Sequence, residues 1–432
     1  MTERSVSRAL VTALRGRLAD GVPAAVRDHT RDQVIDSLGI AVAAARTSDL
    51  AAAVARAIGP PTAPWPGLYL GTRDDDAFGN GALIHMLDYD DIYDPGHAHL
   101  SAATLPAALV AAAEFGASVR SLLSAVALGN EVMCRLGDVA AWASPTSDWF
   151  LTQVFGYFGA AVAYGVLAGL TDDELVSALG LAYMQASGGK EAAFGIGATA
   201  RAVYPGFAAR GGVAACRLAR AGIVGPATVF EGAAGLHRIY LGTPMNEAGA
   251  AHLTGAGWQV LGARVKQWPC CRISHPYVRG ALLARSAVTD PAGVVVRVDA
   301  RSKPLCEPLA QRCRPATLQD AKYSVPFLVA LALVRGEVSL ATVDGRVLVD
   351  DEISKVAEGL TFEAVAAGPG LVVVDGVGYG SADRFDDGDL SDVVATKFRT
   401  NVTVAGGTEQ VADGLLAGLA TDDADVRAVL TG

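Results

Sequence analysis

A mostly α fold with a smaller α+β domain is predicted for this 432-residue chain, and three observations predict it. From Ser7 to about Val265 the sequence is rich in alanine and leucine, with charges at helical spacing. After Cys271, β-branched runs appear between turn residues. The last stretch then returns to helical periodicity, so the C-terminus is expected to pack back on the helical part. The expected division is a helical domain of 1–265 plus 400–432 and an α+β domain of 266–399.

Each element follows from its local pattern. TRDQVIDSLGIAVAAA and DDELVSALGLAYMQAS repeat apolar residues at helical spacing. Thr171-Asp172-Asp173-Glu174 supplies an N-cap and an acidic first turn, and Gly137, Gly180 and Gly222 are expected near helix ends. In the second domain GVVVRVDA, GRVLVDD, LTFEAVA and LVVVDGVG are expected as strands, interrupted by a helix in AKYSVPFLVALALVRG. LSDVVATKFRTNV and TEQVADGLLAGLATDDADVRAVL close the chain as helices.

Composition excludes several functions. A chain that is 51% hydrophobic can bury a large core and is not a disordered segment. The net charge of −10, without a run of Lys or Arg, lacks the footprint of a nucleic-acid binder, so an anionic substrate would need a local positive pocket. Cys134, Cys216, Cys270, Cys271, Cys306 and Cys313 form no CxxC pair and no common zinc or iron–sulfur spacing, as expected of reduced cytoplasmic thiols. MTERSVSRALVTALRGRLADG lacks the apolar core of an export signal. ATLPAALVAAA and FGAAVAYGVLAGL, at 11 and 13 residues, suit buried helices better than membrane spans of ~20 residues.

The chemistry concentrates in HMLDYDDIYDPGHAH, His85 to His99, which holds four aspartates and three of the seven histidines. A metal site needs three or more converging ligands, and the spacing is not HExxH. A structural reading has the aspartates capping a helix end and the Asp94-Pro95-Gly96 turn. The third reading is general acid/base work, in which a histidine moves a proton and a carboxylate fixes its tautomer. On a helix His85, Asp88 and Asp91 would share a face. Composition does not choose between the structural and the acid/base readings.

GNGALIHMLDYDDIYDPGHAHLSAATLPAAL resembles the signature of the MmgE/PrpD family, and the likeness continues through GNEVMCRLG, YPGFAARGGVAA, FEGAAGL, KQWPCCRISHP and AKYSVPFLVALALVRGEV in the family's order. Members include 2-methylcitrate dehydratase, cis-aconitate decarboxylase and iminodisuccinate epimerase. The resemblance implies a two-domain architecture with a helical domain built from both termini, a homodimer, an active site between the domains, and chemistry without metal or organic cofactor.

Carried over residue by residue, Asp88, His99 and His275 match catalytic positions of the decarboxylase branch. Phe150 and Tyr204 stand where that branch has histidine, Arg201 stands where it has lysine, and Phe327 lies near a position where some members carry tyrosine. Arg201 would bind a carboxylate bidentately rather than donate a proton. His99 or His275 is then the base and the other the acid, with Asp88 orienting His99. Lys266, Arg272 and Arg201 hold substrate carboxylates, with ordinary surface charge as the bland alternative, especially for Lys266. Tyr204 lines the substrate, and Tyr323 and Ser324 donate hydrogen bonds to it, although Ser324 can instead cap a helix. Cys270 and Cys271 are small buried apolar groups; Asp90, Asp91, His97 and Phe150 are lower-ranked neighbours. The expected function is a cofactor-independent lyase of the dehydratase type on a small polycarboxylic acid. An epimerase, isomerase or decarboxylase on another acid, and a non-catalytic binding protein on the same fold, are the alternatives. Neither nucleic acid nor membrane is an expected partner.

Overall fold

The computed structural model describes residues 5–63, 67–143, 147–191, 197–366, 368, 370–380 and 390–431. They fold as two compact units: Met1–Lys190 with Val203–Val265 and Leu390–Gly432, and Glu191–Ala202 with Lys266–Asp389. The C-terminal segment thus joins the helical unit at Leu390 rather than at 400, and 191–202 goes with the second unit. Residues 381–389 of the expected second domain lie outside the described residues.

In the first unit α1 (Val6–Ala19), α2 (Ala24–Thr47), α3 (Asp49–Ile58), α4 (Asp74–His85), α5 (Ser101–Phe115), α6 (Val119–Ala143), α7 (Leu151–Leu167), α8 (Asp172–Tyr183) and α9 (Tyr204–Arg220) follow one another. α7 is buried along most of its length because it packs against α5, α6 and α9 at once, which is why its sequence is apolar on every side. The expected start of α8 is a full capping box: Thr171 Oγ1 accepts from Glu174 N at 3.3 Å, and Glu174 Oε2 accepts from Thr171 N at 2.7 Å. Gly222, with φ +95°, lies just past the end of α9. Gly137 departs from expectation and lies inside α6, because an added Cβ there would stand 2.7 Å from Gly96 Cα. Close approach of the 94–98 turn to the helix, rather than helix termination, requires that glycine.

The helix Leu390–Val404 packs along α2, where a Cβ on Gly39 would come within 2.8 Å of Phe398 Cδ2. This seats residues from the far end of the chain on the helix that carries Gln33 and Asp36.

The second unit holds a four-stranded sheet in the order Thr361–Ala364, Val294–Val298, Leu371–Val374, Val377–Tyr379, the first pair parallel and the others antiparallel. Val294, Val296 and Val298 alternate into the core, and the helix His275–Ala284 packs on both the sheet and the helix Val325–Arg335. Of the four expected strands, GRVLVDD is corrected: Gly345–Val349 is a 3₁₀ helix. Asp344 accepts from Arg346 N at 2.9 Å and Val349 is 85% exposed, so local capping outcompetes strand propensity where no apolar face is covered. Among the described residues no single helix is long and apolar enough to cross a membrane.

Candidate active site

The His85–His99 stretch is not one helix, so the helical spacing of His85, Asp88 and Asp91 carries no meaning. α4 ends at His85. Asp88 N donates to the His85 carbonyl at 2.8 Å and Asp88 then takes φ +53°, a left-handed conformation that aspartate tolerates better than most side chains. The chain continues to an isolated bridge between Tyr93 and Ala98 that encloses the Asp94-Pro95-Gly96 turn. Here the structural reading fits, and His97 is an exposed residue at φ +48° on that turn.

Asp90 is the centre of the buried half of the stretch. Its Oδ2 lies 2.9 Å from His85 Nδ1 and 3.3 Å from His99 Nδ1, and the two rings meet edge to face with centroids 4.7 Å apart. His99 Nδ1 is also 2.9 Å from the Asp91 carbonyl. Carbonyl and carboxylate oxygens only accept, so each Nδ1 carries a proton, and in the neutral form of either ring the lone pair sits on Nε2. Burial alone would raise the Asp90 carboxyl, but the two imidazoles beside it draw it well below the usual carboxylate range. Asp90 thus sets a carboxylate beside His99 Nδ1.

Asp91 braces the same loop. Its Oδ2 accepts from Gln33 Nε2 at 2.6 Å and Ser101 Oγ at 2.7 Å, and its Oδ1 from Ser101 N at 3.0 Å. Burial raises its carboxyl against the pull of the Ser101 hydrogen bonds. Asp91 is thus a fastening between α2, the loop and the start of α5.

Tyr204 and Phe150 close on the cluster from one side. Their rings stack at 4.5 Å and 12°, and Tyr204 stands edge-on to His85 at 4.8 Å. Phe150 and Tyr204 are therefore in contact with each other and form one aromatic wall.

His85, Asp90 and His99 each offer a ligand atom within 4.8 Å of the others, a set of the kind that can hold a metal ion. Both Nδ1 atoms face acceptor oxygens at hydrogen-bond distance, an arrangement made for donated protons rather than for lone pairs turned to an ion.

The second unit gathers the expected cations. Arg201, 2% exposed, lies over the Tyr323 ring at 4.0 Å, with Nη2 3.4 Å from Asp320 Oδ1. Cys271 N donates to the Lys322 carbonyl at 3.0 Å, which brings the 271–275 segment beside the segment carrying Asp320 and Tyr323. Arg272–Ser274 makes one 3₁₀ turn, and His275, buried, opens the following helix with its ring 5.1 Å from Trp268. Lys266 is 1% exposed and Arg272 is buried, which removes the surface-charge reading of both. Buried cations are expensive unless they are paired, and Asp320 supplies such a partner to Arg201. Ser324 is corrected toward its structural role: Oγ accepts from Phe327 N at 3.1 Å and donates to the Arg312 carbonyl at 2.5 Å, so helix capping occupies it. Phe327 and Cys270 are fully buried core residues.

His85, Asp36 and Lys397 escaped the sequence reading as site residues. His85 sat inside the quoted stretch but matched no metal spacing. Asp36 interrupts the apolar run of α2 and is fully buried there, the one local signal available. Its carboxyl is raised by burial to about 7 against the pull of Lys397, whose Nζ lies 2.7 Å from Asp36 Oδ1.

The chain belongs to the MmgE/PrpD family: the MmgE/PrpD N-terminal domain matches residues 9–248 and the MmgE/PrpD C-terminal domain residues 268–365. Among curated relatives, cis-aconitate decarboxylase from Aspergillus terreus is 29% identical over 287 residues, 61% of this chain and 58% of the relative. Cis-aconitate decarboxylase-like protein oryM from Aspergillus oryzae is 30% identical over 305 residues, 65% and 63% of the two chains. Human cis-aconitate decarboxylase is 27% identical over 257 residues, 56% and 51%. The matches span between half and two thirds of these relatives' lengths.

Proposed function

We propose that this chain is a lyase that moves a proton at the carbon next to a carboxylate of a small polycarboxylic acid, using acid/base side chains and no cofactor. The observation that carries the reading is Asp90 between two imidazoles, accepting from both Nδ1–H groups and leaving Nε2 as the nitrogen of His99 that can exchange a proton. In a dehydration, a base removes the proton next to the carboxylate, the C–O bond breaks, and an acid protonates the departing hydroxide. In a decarboxylation, the C–C bond breaks, neutral carbon dioxide leaves, the bonding pair and the negative charge stay on the carbon left behind, and an acid delivers a proton there. One histidine as base and another as acid serve the dehydration, the acid alone serves the decarboxylation, and His99 and His275 are the proposed pair. The cations Arg201, Lys266 and Arg272 are proposed to hold the substrate's carboxylates and the charge that develops on them, with about 3 kcal/mol per well-placed donor in a water-poor site.

The relatives' name, cis-aconitate decarboxylase, favours loss of carbon dioxide over loss of water. The stacked Phe150–Tyr204 wall favours an acid with a less polar face than one met by two histidines. A homodimer in the cytoplasm, with a small carboxylate as its only ligand, completes the proposal. Light scattering on the purified protein tests the dimer. His99→Asn and His275→Asn, made singly, test the acid/base pair: each should abolish turnover while leaving the melting temperature within a few degrees. Near-normal turnover in both variants would end the reading.

A further inference from the structure

Asp90, which holds both imidazoles, is a loop residue, and its direction depends on the peptides flanking it. One side is fixed through Asp91 by Gln33 and Ser101. The other side is fixed from the far end of the chain. Lys397, on the helix Leu390–Val404, donates through Nζ to the Tyr89 carbonyl at 2.9 Å and lies 3.5 Å from the centroid of the Tyr89 ring. The same Nζ pairs with Asp36 Oδ1 at 2.7 Å, with the side chains 8% and 0% exposed. Gln33 and Asp36, three residues apart on α2, thus serve the two sides of Asp90 from one helix face. Lys397 lies beyond residue 365, where the match to the family's C-terminal domain ends.

We infer that Lys397 is a positioning residue: paired with Asp36, it pins the Tyr89–Asp90 peptide so that one carboxylate oxygen serves both His85 and His99. The groups that meet in this buried region are Asp36, Asp90 and Asp91 as acids, His85 and His99 as imidazoles, and Lys397 as ammonium. Removing the ammonium withdraws the donor from the Tyr89 carbonyl and leaves Asp36 a buried carboxylate without this partner. The Tyr89–Asp90 peptide is then free to turn, and Asp90 Oδ2 loses its shared position between the two Nδ1 atoms. A salt bridge that only docked the C-terminal helix would lower the melting temperature and leave the imidazoles as they are.

This inference rests on the proposed reading of the His85–Asp90–His99 cluster, but its test needs no turnover. The protein is labelled with ¹⁵N-histidine, and long-range ¹H–¹⁵N NMR reads the tautomer of each of the seven rings, with His85→Gln and His99→Asn assigning the signals. In the wild type, His85 and His99 should both show a protonated Nδ1, so that wherever a ring is neutral its unprotonated nitrogen is Nε2. Lys397→Met should move both rings toward the averaged shifts of exchanging tautomers, and Lys397→Arg should restore the wild-type pattern at least in part. Because a lone buried Asp36 can compromise folding, Asp36→Asn/Lys397→Met is measured as well; it leaves no orphan charge and should show the same loss. A folded Lys397→Met or double variant with both rings unmoved overturns the role of Lys397 alone. A wild-type spectrum without Nδ1 protonation contradicts the Asp90 geometry itself, and with it both readings.

Discussion

Asp90 Oδ2 lies 3.3 Å from His99 Nδ1 while His85 Nδ1 approaches the same oxygen at 2.9 Å, so one buried carboxylate serves two imidazoles. An amide oxygen in the place of Oδ2 carries no full negative charge, and the NH₂ takes the place of the buried Oδ1. Asp90→Asn should therefore lower kcat by roughly 100- to 1,000-fold with little change in KM, since the lost function is orientation rather than binding. Steady-state kinetics on whichever acid the protein turns over checks this; a KM effect alone would move Asp90 into substrate binding.

Asp88 gives a way to separate backbone from carboxylate. At φ +53°, glycine is the residue that fits without strain, whereas alanine costs about 1 kcal/mol. If the carboxylate takes part in the reaction, Asp88→Gly should keep the wild-type melting temperature within a few degrees and still lose turnover. Asp88→Ala should lose turnover and melt lower. Full activity in Asp88→Gly would reduce Asp88 to a turn residue.

The stack of Phe150 on Tyr204 is a packing claim with a stability consequence. Tyr204→Phe preserves both rings and should shift stability by less than about 1 kcal/mol, whereas Tyr204→Ala removes a buried ring that touches both Phe150 and His85 and should cost roughly 3 kcal/mol. Urea unfolding of the two variants distinguishes them.

Asp36 sets a pH dependence with a definite sign. Its folded-state pKa is raised by burial from the ordinary 3.8 to about 7, so the folded protein binds a proton that the unfolded chain has released. Its contribution to stability is full below about pH 4 and is lost as the pH rises through 7. Asp36→Asn carries no titrating proton and should flatten that part of the melting-temperature curve between pH 4 and 7. The lowered Asp90 acts in the opposite direction, favouring the fold above the unfolded carboxylate range and losing its effect in acid.

The fold was legible where burial repeats with a period. The alanine-rich helices and three of the four expected strands follow from that, and the fourth failed because Val349 has nothing to pack on. Of the candidate site, the sequence pointed to His99 and the cations near Tyr323 and His275, and all of these are buried. Asp90, His85 and Lys397 were not legible, each for a physical reason. Asp90 and Asp91 have the same composition and differ only in which way the loop turns them. His85 acts through a ring nitrogen whose partner lies five residues on in a turn, where helical spacing says nothing. Lys397 meets Asp36 across 361 residues of chain, and only the seating of Phe398 against Gly39 brings the two together.

The central claim, proton transfer next to a carboxylate by an imidazole that Asp90 orients, is tested most directly in deuterated water. The wild type and His99→Asn are each mixed with a panel of di- and tricarboxylates that includes cis-aconitate, and NMR follows product and deuterium at carbon. The account predicts for the wild type either a decarboxylated product carrying deuterium at the carbon protonated after carbon dioxide leaves, or an unsaturated dehydration product formed with loss of the substrate's proton next to a carboxylate, and neither in His99→Asn. Product formed equally by both proteins would contradict it.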